Sequence, residues 1–394
     1  MEAELVRLKG LLPAAAGDLR PKGDEVPPGP VKADPPILLA KAPDAQARLK
    51  RQFDQLTEDT QVLLRQSEKV REGYFWKRTD KSSIGAWEKT TGPLREEFYR
   101  DVIGKFDEAP LPPHPRSRRL YDEPRYTVYE VQLDVWKDVF AYGWLLVPKD
   151  LKEGERRPVV VCQHGLEGRP SDVADPKKNH PAYERFACRL AERGFVVFAP
   201  QNPYIGQDRF RTLQRKANLL GKQLFSIIIP QHEVITDWLA SLPYVDPERI
   251  AFYGLSYGGK TAMRVPAVVT RYCLSICSAD FNDWIWKNAA LDSPYSYVTT
   301  GEYEIFEWNL GNTFNYAEMA ALIAPRPFMV ERGHYDGVAP DERVAYEYAK
   351  IRRFYDELKI GDRTEIEFFT GPHKINGVGT FDFLHRHLRW PKPS

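Results

Sequence analysis

Short apolar runs alternate with helical patterns over most of the chain. Runs such as 159–162, which are apolar throughout and bounded by proline or glycine, are typical of central strands in a parallel sheet. Strands are predicted at 126–135, 140–147, 158–163, 195–199, 250–254, 273–278, 326–331 and 365–369. The first two are joined by a short connection and predict an antiparallel pair at one sheet edge. The later alternation predicts an α/β fold, with a mostly parallel central sheet and helices on both faces.

A different pattern precedes these strands. Residues 1–47 are rich in proline, alanine and glycine, which predicts an extended arm. A helix is predicted from Ala47 to Glu72, with an apolar stripe formed by Leu49, Phe53, Leu56, Leu63 and Val70. We expect this stripe to pack against the rest of the chain; the alternative is a homo-oligomer through paired helices. The predicted divisions are an arm at 1–47, a helical N-terminal extension at 48–118 and an α/β domain at 119–394.

The connection between the strands at 273–278 and 326–331 is too long for a simple loop. It predicts a cap insert at about 280–325 that is rich in aromatic residues. Most of these rings should form the core of the insert itself. Trp284 and Trp286 follow the sheet edge closely, so we expect them to face a pocket and contact substrate.

Composition narrows the function classes. The chain has 394 residues, a net charge of +1 and 42% apolar residues, so nothing favours nucleic acid as a partner. No apolar run approaches the roughly 20 residues that span a bilayer, so no membrane partner is expected. The acidic start of the chain lacks the apolar core of a secretory signal. We therefore expect a cytoplasmic protein, or a periplasmic or secreted one if a signal has been removed.

The segment Gly254-Leu255-Ser256-Tyr257-Gly258 joins a predicted strand to a predicted helix. A serine on such a sharp turn adopts a strained backbone that exposes its hydroxyl at the sheet edge. Small residues two positions before and after it let the strand and the helix approach the turn. The pattern predicts that Ser256 is a nucleophile.

A serine nucleophile needs a base, and a carboxylate to orient that base. His373 and Asp336 each follow a predicted strand on a loop, so they are the first candidates. Glu331 at a strand end and Asp280 after the strand 273–278 are alternative acids. His334 shares the Asp336 loop and is the main rival to His373.

These motifs resemble the serine esterases of the α/β-hydrolase superfamily, within it the dienelactone hydrolase and acetyl-xylan-esterase-like group. The resemblance covers residues 120–391 and includes the turn His164-Gly165-Leu166-Glu167-Gly168. It implies the α/β-hydrolase fold, the order nucleophile, acid, histidine, and an oxyanion hole formed by the backbone N–H groups of Leu166 and Tyr257. Dienelactone hydrolases proper use a cysteine nucleophile, and Ser256 departs from that pattern.

The function that the resemblance implies is serine carboxylesterase chemistry through an acyl-enzyme, with no cofactor and no metal. The expected substrates are small-molecule or saccharide esters, such as acetylated or aryl-acid-esterified plant carbohydrate. Two alternatives stay open: a serine peptidase of the prolyl-oligopeptidase type, and a non-catalytic binding protein on the same fold.

Overall fold

A computed structural model of the protein describes residues 44–203, 207–300 and 306–392, without the side chains of 207–212. Nearly all of the predicted arm therefore lies outside the described residues. The chain divides into two compact units, residues 1–56 and 57–394. The described part of the first unit is residue 44 and the beginning of helix α1.

The elements follow the predicted alternation. The helices are α1 Ala45–Tyr74, α2 Ile84–Glu97, α3 Pro170–Ala174, α4 Phe186–Ala191, α5 Gln207–Asn218, α6 Phe225–Ser241, α7 Tyr257–Val268, α8 Trp284–Ala289, α9 Leu310–Thr313, α10 Tyr316–Ile323, α11 Asp341–Glu357 and α12 Gly379–His387. The strands are β1 Arg116–Asp122, β2 Tyr126–Trp136, β3 Val139–Pro148, β4 Arg157–Gln163, β5 Val196–Pro200, β6 Val245–Leu255, β7 Tyr272–Ser278, β8 Phe328–Gly333 and β9 Thr364–Phe369.

Within the described residues the strands form one nine-stranded sheet in the order β1-β2-β3-β5-β4-β6-β7-β8-β9. From β5 to β9 every neighbouring pair is parallel. The predicted antiparallel pair is confirmed as β2 and β3, but the strand at that edge of the sheet is β1, which pairs antiparallel with β2. The carboxyl ends of β6, β7, β8 and β9 consequently meet along one edge of the sheet.

Helices cover both faces of this sheet, as predicted. Val159 and Val161 of β4 belong to one hydrophobic cluster, which includes residues of α6, α10 and α11. Val160 and Cys162 belong to a second cluster on the opposite face, with α4 and α12. The continuous apolar run of β4 arises because both of its faces are buried.

Within the unit 57–394, the expectation for the apolar stripe of α1 is wrong. Leu63 is 64% exposed and Val70 is 49% exposed. In the unit 57–394, polar side chains of α1 make the contacts instead: Gln61 donates to the Ala289 carbonyl and Arg71 to the Gly311 carbonyl. Apolar periodicity in the sequence indicates the helix but gives no sign that it docks through its polar face.

The segment after α1 contributes to the main core. Phe75, Trp87 and Phe98 are fully buried, and the rings of Phe75 and Phe98 lie 5.8 and 4.8 Å from the ring of Phe314. Strand β1, which the sequence pattern did not predict, spans Arg116–Asp122 and therefore crosses the predicted division between residues 118 and 119.

The predicted cap insert has two different halves. Its first half contains α8 and lies beside the edge at which β7 ends. Its second half contains α10, in which every residue is buried, and this helix belongs to the main core. The helix is a layer of the central fold and does not form part of a cap.

Candidate active site

Ser256 occupies the sharp turn between β6 and α7. Its φ of 60° and ψ of −120° are strained for a residue with a side chain. A Cβ added to Gly254 would lie 2.1 Å from the Gly258 carbonyl oxygen, and one added to Gly258 would lie 2.4 Å from the Gln163 carbonyl oxygen. Only glycine fits at both positions, which explains the spacing of the motif.

His373 and Asp336 are in direct contact. The His373 Nδ1 lies 2.9 Å from Asp336 Oδ2, while the Asp336 Oδ1 accepts a hydrogen bond of 2.9 Å from the Val338 N–H. The Asp336 carboxylate is fully buried, whereas the His373 side chain is 31% exposed. A carboxylate on Nδ1 leaves Nε2 as the ring atom that can receive a proton.

Backbone hydrogen bonds join the loops that carry these two residues. The N–H of His334 donates to the Phe369 carbonyl at 2.9 Å, and the N–H of Tyr335 donates to the Gly371 carbonyl at 2.9 Å. A Cβ at Gly333 would lie 2.5 Å from the Gly371 carbonyl oxygen, so glycine permits this close approach.

Ser256 follows β6 at the same sheet edge, but no hydrogen bond joins its Oγ to His373 within the described residues. In enzymes without bound substrate, such hydrogen bonds are often long and tighten only in the complex. The structure thus joins two of the three predicted catalytic residues directly and places the third at their edge of the sheet.

Glu331, the first alternative acid, is fully buried and contacts no histidine in the described part of the chain. Its carboxylate accepts hydrogen bonds from the side chains of Tyr253, Ser278 and Thr380. It also accepts from the backbone N–H groups of 376 and 377, in the segment that follows His373. Burial raises the pKa of this carboxyl above its usual range.

Asp280, the second alternative, accepts a hydrogen bond of 2.5 Å from the Tyr316 hydroxyl. Burial raises the pKa of Asp280, although Arg264 and Lys260 oppose that shift. His334 is also paired elsewhere, because its Nδ1 lies 2.6 Å from Asp341 Oδ2. Asp280 and His334 therefore have other partners and do not take part in the contact between His373 and Asp336.

The turn after β4 lies beside Ser256. A Cβ on Gly165 would be 3.1 Å from the Ser256 Cβ, and the Gly165 N–H donates to the Tyr183 hydroxyl at 2.8 Å. The N–H of Leu166 has no acceptor among the described residues. With the N–H of Tyr257 at the start of α7, it has the sequence position of the predicted oxyanion donors.

His164 holds this turn in place through contacts on both of its ring nitrogens. Its Nδ1 lies 2.7 Å from the Gly165 carbonyl, and its Nε2 lies 3.2 Å from the Asn202 N–H. Burial lowers the pKa of His164 to about 4, so the ring is neutral near pH 7. A neutral ring that donates through Nδ1 and accepts through Nε2 satisfies both contacts.

Comparisons with known proteins agree with this architecture. The sequence model of the Prolyl oligopeptidase family matches residues 184–370. YtaP of Bacillus subtilis (strain 168), which is named as a hydrolase, is 28% identical over 260 residues, covering 64% of this chain and 83% of YtaP. A structure from Bacteroides fragilis NCTC 9343, named as an acetyl xylan esterase, superposes with a TM-score of 0.61 at 15% identity, covering 78% of this chain and 81% of that one.

The chain has the α/β-hydrolase fold. A glucuronoyl esterase from Solibacter usitatus shares it, with a TM-score of 0.59, 14% identity, and coverage of 79% of this chain and 94% of that one. The predicted fold class is therefore confirmed, and the likeness to structures of acetyl xylan and glucuronoyl esterases agrees with the resemblance inferred from the motifs.

In this α/β-hydrolase fold, Trp284 does not face a pocket, contrary to the expectation from the sequence. Its side chain is only 2% exposed and stacks on Tyr316 with 5.0 Å between ring centroids. Trp286 is half-buried under Arg343, whose guanidinium lies 4.3 Å from the ring centroid. It lines a cavity of about 240 Å³ between α1, α8 and α11, and Ser256 and His373 are not among the lining residues.

The sequence did not indicate a buried ion cluster behind the nucleophile. Lys260 and Arg264 of α7 are buried, and the Arg264 guanidinium forms two hydrogen bonds, of 2.6 and 2.8 Å, with Glu307 from the insert. Burial alone would raise the pKa of Glu307, but Arg264 and Lys260 hold it below its usual range. Residues so far apart in sequence give no local signal that they pair.

Two further observations concern metal ions and membranes. Across the described ranges, no group of three or more histidine, cysteine, aspartate or glutamate side chains is arranged to hold a metal ion. No helix in the same ranges is both long enough and apolar enough to cross a membrane.

Proposed function

We propose that this protein is a serine carboxylesterase in which Ser256 is the nucleophile, His373 the base and Asp336 the orienting acid. The observation that carries the proposal is the contact of 2.9 Å between His373 Nδ1 and Asp336 Oδ2, on loops that end at the same sheet edge as the strained Ser256 turn. A strained backbone at the serine and an imidazole that is paired with a carboxylate are both typical of an activated nucleophile.

In the proposed reaction, Ser256 Oγ attacks the ester carbonyl while His373 Nε2 takes the hydroxyl proton. The N–H groups of Leu166 and Tyr257 stabilise the negative charge on the carbonyl oxygen, and a donor of this kind contributes about 2.7–4 kcal/mol. His373 then protonates the departing alcohol, leaving an acyl group on Ser256. Water, deprotonated by His373, attacks this group and releases the acid.

For the substrate, we propose carbohydrate esters, either acetylated or esterified with an aryl acid. Support comes from the names of the structural neighbours, acetyl xylan and glucuronoyl esterases. Contact of Trp286 with substrate stays a prediction, because this half-buried residue lines a cavity that Ser256 and His373 do not line.

A peptidase is the second candidate, because the matching family model describes prolyl oligopeptidases. Both reactions use the same three side chains, so the leaving group distinguishes them. A panel of nitrophenyl esters of increasing chain length, acetylated xylan, methyl ferulate, methyl glucuronate and blocked peptide amides separates the two. We expect hydrolysis of the esters; cleavage of the amides alone would favour the peptidase.

The same panel with Ser256→Ala tests the mechanism. Because removal of one member of a catalytic triad costs a large part of the rate, we expect a loss of at least about 10³-fold in kcat. Far-ultraviolet circular dichroism checks that the variant is folded. Turnover close to that of the unaltered protein would contradict the proposal.

A further inference from the structure

Arg332, near the end of β8, holds the loop of the proposed catalytic acid. Its side chain is 3% exposed, and one guanidinium nitrogen lies 3.1 Å from Asp336 Oδ2. A second nitrogen donates to the backbone carbonyl of Asp336 at 3.0 Å and to the carbonyl of Ala339. One buried cation therefore contacts both the carboxylate and the backbone of the acid loop.

The other side of the guanidinium is fixed as well. Its Nε donates to Asp341 Oδ1 at 3.0 Å, at the first residue of α11, and Asp341 Oδ2 lies 2.6 Å from His334 Nδ1. The His334 ring stacks on Phe368 with an interplanar angle of 10°. Arg332 thus bridges two carboxylates, each of which holds one histidine.

We propose that Arg332 is a positioning residue for the hydrolytic reaction. It directs Asp336 Oδ2 toward His373, so that the imidazole is held in the orientation in which Nε2 can receive the proton of Ser256. The inference rests on the function proposed above and adds to it a residue that positions the catalytic acid.

The physical reason is that two groups approach the same carboxylate oxygen. Asp336 Oδ2 is 3.1 Å from the Arg332 guanidinium and 2.9 Å from His373 Nδ1. Since the guanidinium also holds the backbone carbonyls of Asp336 and Ala339, it fixes the carboxylate in the orientation that contacts the imidazole. A misplacement of catalytic groups by about 1 Å can cost about 100-fold in rate.

The test is the measurement of kcat and KM for Arg332→Gln on a nitrophenyl ester. Looser placement of Asp336 should lower kcat by about 10- to 100-fold. KM should change little, because Arg332 is buried and acts on the rate only through Asp336. Arg332→Lys keeps the charge without the fork of donors, so it should restore only part of kcat.

Arg352→Gln is the matched control. Arg352 also pairs with an aspartate four residues later, at 3.0 Å, but its side chain is 50% exposed and it lies on α11 away from Asp336. We expect its kcat and KM to equal those of the unaltered protein. If Arg332→Gln does not fold, Asp341→Asn, which removes the second anchor of the guanidinium, should lower kcat while KM changes little.

The inference is overturned if Arg332→Gln, or Asp341→Asn in its place, has the kcat of the unaltered protein. It is also overturned if the variant loses only thermal stability while the folded enzyme keeps its full rate. These results differ from a failure of the proposed function, in which Ser256→Ala would remain active.

Discussion

Glu331 and Asp336 are both buried carboxylates, one on β8 and the other on the loop that follows it, yet their surroundings differ in kind. Glu331 accepts hydrogen bonds from three hydroxyl groups and two backbone N–H groups, all of them neutral donors. Asp336 Oδ2 is shared by a guanidinium and an imidazole. Burial alone therefore does not identify a catalytic acid, whereas the charge and identity of its partners do.

The difference has a structural consequence for the edge of the sheet. Glu331 connects β6, through Tyr253, to the chain just after His373 and to Thr380 of α12. Its hydrogen bonds therefore hold the loop that carries His373, whereas Asp336 contacts the His373 ring itself. We interpret Glu331 as a structural residue and Asp336 as a functional one.

The largest expected effect is that of Asp336→Asn. An amide cannot stabilise the imidazolium and favours the wrong tautomer of His373, so kcat should fall by about 10⁴-fold while the fold is kept. Ester hydrolysis and thermal melting, measured together, check this prediction. A variant that keeps most of its rate would return Glu331 and Asp280 to consideration as the acid.

Glu331→Ala should lower the stability of the protein much more than its activity. It leaves several buried donors without an acceptor, and each costs about 1–3 kcal/mol, so the free energy of unfolding should fall by about 3 kcal/mol or more. Below the melting transition, kcat should stay far closer to that of the unaltered protein than in Asp336→Asn. Urea denaturation and ester hydrolysis measure the two quantities; full stability with lost activity would reverse the roles of the two carboxylates.

The smallest effect is a change in the pH dependence of stability. Burial raises the pKa of Glu331 in the folded state, so the folded protein binds this proton more tightly than the unfolded chain does. Its contribution to stability is present at low pH and declines as the pH rises through the raised pKa. Glu331→Gln removes this titration, so its stability should decline less steeply above about pH 4.5.

Urea denaturation at a series of pH values, with the unaltered protein and Glu331→Gln side by side, measures this change. Asp280→Asn is a useful comparison because burial also raises the pKa of Asp280, away from the histidine loop. Parallel curves for the unaltered protein and Glu331→Gln would contradict the prediction.

The sequence predicted those parts of the site that depend on local geometry. The Ser256 turn was predictable because the two glycines and the flanking strand and helix are contiguous in the chain. His373 and Asp336 were found because each follows a strand whose apolar run is distinct. The choice between Asp336 and Glu331 depends on side-chain contacts between distant segments, which no local pattern encodes.

Other features were beyond prediction for the same reason. No periodic pattern in the sequence indicates the contacts of Arg332, Tyr183 and Glu307. Their partners are remote in sequence or lie across a strand-to-loop junction. The apolar stripe of α1 gave a wrong expectation because the helix docks through polar side chains. The insert gave a wrong expectation because its aromatic residues include core residues such as Tyr316. Apolar patterning indicates that a residue will be buried but does not specify its neighbours.

The most direct test of the account is labelling with a fluorophosphonate, followed by intact-mass measurement. We predict one adduct per chain on Ser256, no adduct in Ser256→Ala, and much slower labelling in Asp336→Asn than in Glu331→Gln. Equal labelling of Ser256→Ala and the unaltered protein would contradict the assignment of Ser256 as the nucleophile.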